Sequence, residues 1–346
     1  MIKISTITRS RCFRVVALTF VLAAVCPAIV APASRGEEEE AQIERRLAVE
    51  SDVVVTLCLA AGDVVVRGWD RREVRARSDD AEQLELKAAG QSATGAPPPV
   101  KQVAVFASKV ERSVLPSDGC GGMSNVELDV PRGATIVVKT GSGDLEVSDV
   151  AEARLGSNVG DIEVRGITRA VEATSMASGS VFVEDSTGRV RLRSVGGDVE
   201  VVNARAAANG DNLIANSTSG SIRLDQVSYS RIEVSTIGGD VRMAGALVRG
   251  GSYSFKTYSG DVTLELPPDA SFKISARVVA DGDILTDFPV KVSGTAPLPP
   301  NEESTGRLVG NVGSGKVEAD AASLNLSSFH GTLRLRKREP TAGRWQ

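Results

Sequence analysis

A single histidine, His330, stands in 346 residues, so a Cys/His metal centre lacks ligands and a serine nucleophile would have one imidazole to draw on. Aromatic residues are only 4% of the chain, which suits an interior filled by small aliphatic side chains. No dense basic patch interrupts the body of the sequence, and with a formal net charge of -4 this argues against nucleic acid as a partner. After residue 25 no apolar run approaches the roughly 20 residues that a membrane-spanning helix needs. Cysteine is also scarce. Cys12 and Cys26 fall in the N-terminal segment, leaving Cys58 and Cys120 either to pair, as an oxidising compartment permits, or to remain free thiols.

The first 33 residues have the layout of a secretory signal peptide. Lys3, Arg9, Arg11 and Arg14 precede the apolar run 15–25, and Ala31-Pro32-Ala33 supplies small residues for cleavage. An uncleaved anchor is the alternative. A lipid-attached Cys26 is a third reading, against which Val25 stands where such a box takes Gly, Ala or Ser. The expected location is therefore extracytoplasmic, with membrane contact only through an uncleaved N-terminus. Residues 34–48 read as a charged spacer with a helical turn or two, and 338–346 as a basic tail.

What the chain has in abundance is a phrase: Gly, then Asp or Ser, then an aliphatic residue, any residue, and an apolar one. It occurs at Gly143-Asp144-Leu145, Gly160-Asp161-Ile162, Gly179-Ser180-Val181 and Gly197-Asp198-Val199, and continues at Gly220, Gly239, Gly260 and Gly282. A strand-length motif repeating at about 20 residues predicts a solenoid of short rungs. The expected fold is all-β: a single-domain, parallel β-helix-like solenoid over 49–337. It has an N-terminal hairpin region around Gly62-Asp63, a loop over 79–100, a proline-rich excursion over 287–306, and C-terminal strands at Gly315 and Gly331 that cap the stack. Each rung carries a first strand ending in Ser or Thr three residues before the Gly. The segment 171–178 breaks that register and predicts a bulge or a longer turn.

Alternation along the second strand of each rung sends Leu145, Val147, Ile162 and Val164 inward. Glu146, Glu163, Phe182, Glu200, Arg223, Arg242 and Thr263 then form one outward column, acidic at first and basic later. The repeated Asp could form a calcium ladder, but its spacing lacks the nine-residue cadence of Asp/Gly rolls. Turn chemistry, with carboxylates accepting backbone N–H groups, accounts for it. The repeated glutamates share one solvated position, unlike an acid/base pair set in two different environments. No catalytic, cofactor-binding or metal site is expected; Phe182, Tyr253 and Tyr258 are the candidates for surface binding.

The segment Val64-Val65-Val66-Arg67-Gly68-Trp69-Asp70-Arg71, the turn Val130-Pro131-Arg132-Gly133 and the Gly-Asp rungs resemble the bacterial adhesin-like domain family DUF4097. The resemblance implies an exported β-solenoid without established enzyme activity, an adhesin label, and association with envelope-stress signalling; it carries over no functional residues. The expected function is a non-catalytic cell-envelope binding or scaffold protein whose partner is a surface polymer or an envelope protein. A polysaccharide-active β-helix enzyme and an envelope-stress accessory acting through a membrane partner are the rivals.

Overall fold

The strand-forming alternation of the sequence is realised in a computed structural model that describes residues 43–88, 100–109, 120–292, 306–313 and 320–338. These lie within the unit Ala41–Gln346. The signal segment 1–33, most of the spacer and nearly all of the basic tail fall outside the described residues, as do Pro297, Pro299, Pro300 and the Gly315 phrase.

Among the described residues the chain builds a 13-stranded and a 15-stranded sheet. Each regular rung contributes one strand to each. Leu145–Ser148, Ile162–Arg165, Val181–Glu184, Val199–Val202, Ile222–Asp225 and Val241–Ala244 follow one another in parallel register along the first sheet. Thr135–Ser142, Glu152–Val159, Ala170–Ser178, Arg189–Ser194, Leu213–Ser217, Arg231–Thr236 and Ser252–Ser259 do the same along the second. Every second side chain points between the sheets. Leu145, Ile162, Val181, Val199, Ile222, Val241 and Val262 form one fully buried row on the first sheet, and Ile136, Ala153, Val171, Val190, Leu213 and Ile232 form another on the second. A stack of aliphatic layers is thereby removed from water, and stability accumulates rung by rung.

Two corners return the chain. At the first, Gly160 has φ 137°, and a Cβ there would run into the carbonyl oxygen of Gly143. The same clash recurs up the stack, so this corner is a spine of glycines. At the second corner Asp149, Asp185, Asn203 and Gln226 take φ near 50°, the left-handed region that Asp and Asn enter more readily than most residues.

Of the bulge or longer turn expected over 171–178, the structure has a bulge. Ser157 faces Ser175, but Val159 faces Ser178, so the strand Ala170–Ser178 holds one extra residue.

Both ends depart from the sequence reading. Gly62-Asp63 is a rung corner: Val54–Ala61 and Val64–Trp69 belong to different sheets, because Gly62, at φ 133°, turns the chain across the tube and does not fold it back on itself. That rung lies between strands from later in the sequence, Val126–Pro131 on one side and Leu145–Ser148 on the other. At the far end Leu333–Lys337 lies between Val262–Leu266 and Ile284–Thr286. The C-terminal strand is thus an inner rung. The cap comes from Phe272–Val278, Ile284–Thr286 and the antiparallel strands Gly306–Val312 and Val290–Val292. Ile43–Ala48, read as the end of the spacer, is an antiparallel edge strand on Glu73–Ser78. Within the expected loop, Gln83–Ala88 is a strand on Gln102–Ser108.

The glycine spine gives a direct stability contrast. Gly160→Ala is expected to cost about 2–3 kcal/mol in urea unfolding through forced φ and carbonyl contact. A Cβ at Gly156, mid-strand on the outer face, meets only Lys139 Cγ at 3.8 Å, so Gly156→Ala should stabilise by about 0.5 kcal/mol.

Candidate binding surfaces

The polar residues of the first corner are occupied by the backbone. Asp63 Oδ1 accepts the amide of Asp144 at 2.9 Å, Asp144 Oδ1 that of Asp161 at 2.8 Å, and Asp161 Oδ1 that of Ser180 at 2.7 Å. Further along, Asp198 accepts from Ser221, Asp240 from Asp261 and Asp261 from Thr332. Each carboxylate accepts a backbone amide, as the phrase implies, but the amide belongs to the next rung and not to its own turn, so the ladder ties rung to rung; no group of three or more metal-ligating residues occurs among the described ones. The hydroxyl column acts in the opposite direction. Ser157, Ser194, Ser217, Thr236, Thr257 and Ser328 donate to the carbonyls of Gly143, Gly179, Gly197, Gly220, Gly239 and Gly260 in turn. Ser175 stays in register with Ser157 and Ser194, but the extra residue lies between it and the Gly179 corner, and its buried hydroxyl has no partner.

Outward, the column predicted on the 13-stranded sheet is present in register: Glu146 beside Glu163, then Phe182, Glu200, Arg223, Arg242, Thr263 and Arg334. Much of this face is neutralised internally. Arg165 pairs with Glu163 and, at 3.2 Å, with Glu184; Arg75 meets Asp129 at 2.7 Å and Arg242 meets Glu265 at 2.6 Å. Phe182 is half-buried in the column, with the Arg165 guanidinium 5.8 Å from its ring centre.

The two tyrosine candidates separate. Tyr253 is in the core at 1% exposure, its hydroxyl donating to the Tyr229 carbonyl at 2.9 Å and accepting from the Val248 amide at 2.6 Å. It is therefore not a surface residue: its register partner Ile232 points inward, and so does its own ring. Burial pushes its phenol up, partly offset by the Val248 bond. Tyr258 is outside at 53% exposure, stacked on Phe329 with ring centres 4.8 Å apart and with His330 edge-on to both. Phe182 and Tyr258 lie on different strands, rungs and sheets, and do not form one site.

Cys58 and Cys120 are joined as a disulfide with Cα atoms 4.7 Å apart, across 62 residues of sequence. Closing a loop of that length is worth about 4 kcal/mol in the chain-entropy account. The bridge borders a shallow groove of about 680 Å³ on the outer face of the 15-stranded sheet, floored near Gly156 and flanked by Lys139, Arg154, Glu172 and Met176.

Comparison with known proteins places this architecture. The family described as Toastrack DUF4097 matches residues 118–323, more than half of the chain. The chain belongs to this family. No curated protein matches it. Among solved structures, a "putative cell adhesion protein" from Clostridium sporogenes ATCC 15579 is similar at 10% identity, over 86% of this chain and 100% of that one, with a TM-score of 0.23. A "putative lipid binding protein" from Parabacteroides distasonis ATCC 8503 is similar at 10% identity, over 85% and 96%, with a TM-score of 0.38. At these scores neither structure bears on the function of this Toastrack chain.

Two tests follow from the corner chemistry. Ser180 interrupts the carboxylate ladder, and Asn125 already accepts the Asp63 amide at 3.1 Å through a neutral amide oxygen. Ser180→Asn should therefore add a bond to the next rung and raise stability by about 1 kcal/mol, read as a higher melting temperature; an unchanged or lower one contradicts the ladder. For Asp261, burial opposes ionisation, but the Thr332 amide and the Arg334 guanidinium outweigh it and hold the carboxyl below its ordinary value. Its contribution is then full above the unfolded value of about 3.9 and is lost as pH falls through the lower folded one. The stability advantage of wild type over Asp261→Asn in urea should shrink steadily between pH 5 and pH 2.

Proposed function

We propose that this Toastrack chain is a non-catalytic, extracytoplasmic binding or scaffolding rod that presents in-register rows of side chains to a cell-surface polymer or envelope protein. The observation carrying this reading is the division of labour among polar groups. Asp, Ser and Thr at the corners are consumed in rung-to-rung bonds, while the outward positions repeat along the ladder at one strand spacing. Repeated shallow contacts of that kind gain strength through avidity and need no deep pocket. The Cys58–Cys120 bridge supports an oxidising compartment, in line with the secretory layout of residues 1–33. The glutamates of the outward column share one setting, with Glu146 and Glu163 side by side, which disfavours assignment as an acid/base pair.

The test is retention of the folded protein on a panel of purified envelope polymers and membrane-protein extracts, run beside a reducing-end assay on the same glycans. Retention without release of reducing ends is the expected result. Turnover of any glycan that is abolished by Glu163→Gln would replace this reading with an enzyme.

A further inference from the structure

Although the sequence has no basic cluster, the register gathers one. On the outer face of the 15-stranded sheet, Lys139 is followed by Gly156, Thr174 and Arg193. The row continues through Asn216 and Ser235 to Lys256, and through Ser327 to Arg277 and Arg307. No carboxylate stands in it. Its cations are exposed, and none makes an ion pair with a described residue, whereas on the other sheet Arg67, Arg75, Arg165, Arg242 and Arg334 are each paired with a carboxylate. Successive cations are three, three, two and one strands apart, about 14, 14, 10 and 5 Å at the usual parallel spacing, with hydroxyl and amide side chains between them. On the strand Arg189–Ser194, Arg189 and Arg191 are exposed beside Arg193.

The borders of this lane select its occupant. On one side the adjacent row holds Glu172 and Glu233 beside Arg191 and Ile214. On the other, two residues further along the same strands, lies an uncharged ridge: Met176 at 55% exposure, Ile237 at 56%, and Tyr258 stacked on Phe329.

We infer that this lane binds a linear acidic polysaccharide lying along the solenoid axis, its carboxylates on the Lys/Arg positions and its C–H faces against the ridge. This deepens, and rests on, the reading of the protein as an extracytoplasmic binding rod. A sugar in an extended chain advances by about one strand spacing, so chain and ladder stay in step. A flat anionic bilayer or a nucleic-acid duplex is wider than the lane and would also meet Glu172 and Glu233. Single-stranded nucleic acid needs an aromatic platform for base after base, whereas the row has none and the ridge has one stacked pair, Tyr258 and Phe329, at one end.

The experiment measures binding of the folded protein to polygalacturonate at low salt, with phosphatidylglycerol vesicles and single-stranded DNA as competitors. Wild type should bind, more weakly as salt rises. The triple variant Arg193→Glu, Lys256→Glu, Arg277→Glu should lose at least about tenfold in affinity, because three of the linked contacts go at once. A charge-matched variant of the other sheet, Arg67→Glu, Arg223→Glu, Arg242→Glu, should change affinity less than about threefold. If the triple variant melts early, the neutral set Arg193→Gln, Lys256→Gln, Arg277→Gln takes its place, with the same ordering expected. Absence of binding, equal losses in both variants, or tighter row-dependent binding to vesicles or DNA would overturn the inference. Retention on a neutral envelope glycan with none on polygalacturonate would overturn it while leaving the proposed function standing.

Discussion

The whole tube depends on how closely successive rungs meet at the first corner. From Ser124 through Gly62, Gly143, Gly160, Gly179 and onward to Gly260, Gly331 and Gly282, each glycine lies directly against the carbonyl of the one before, and a Cβ at any of them would collide with it. Only glycine permits that approach. Once the corner is fixed, the strands on both sides have no freedom to slip by one residue, since a slip would turn every aliphatic side chain out to solvent. Register, core and outer rows follow together from one steric condition.

That condition also explains how polar chemistry is distributed. Corner carboxylates satisfy amides of the next rung and corner hydroxyls satisfy carbonyls of the previous one, so where the cadence holds the turn backbone finds its partners within the protein. Ser175 shows the cost of departing from the cadence: one inserted residue leaves its buried hydroxyl alone. The side chains left for recognition are those in the outward rows, where neighbours in space are about 20 residues apart in sequence.

The repeated Gly-Asp phrase made the parallel stack legible, and the missing Ser three residues before Gly179 made the bulge legible. The order of the rungs at the two ends was not. Gly331-Thr332-Leu333 is a variant of the phrase found at Gly260 and Gly282, and nothing local says that it enters between them. The second corner was written in the sequence but disguised. Asp149, Gly166, Asp185, Asn203, Gln226 and Gly245 each fall six residues after a phrase glycine, yet their identities differ too much to read as one motif until their shared positive φ is seen. Tyr253 was decidable, since the alternation that buries Phe255 buries it as well. The basic lane was invisible because it exists only across strands; Arg193 and Lys256 approach one another through register alone.

The most direct measurement is of trans-hydrogen-bond scalar couplings at the far end of the stack, in deuterated protein. In the structure the Val262 amide donates to the Thr332 carbonyl at 3.0 Å and the Leu333 amide to the Asp283 carbonyl at 2.8 Å. Couplings from Val262 N to Thr332 C′ and from Leu333 N to Asp283 C′ are the predicted result. A coupling from Val262 N to Asp283 C′ would mean that rungs stack in simple chain order, and would contradict the account.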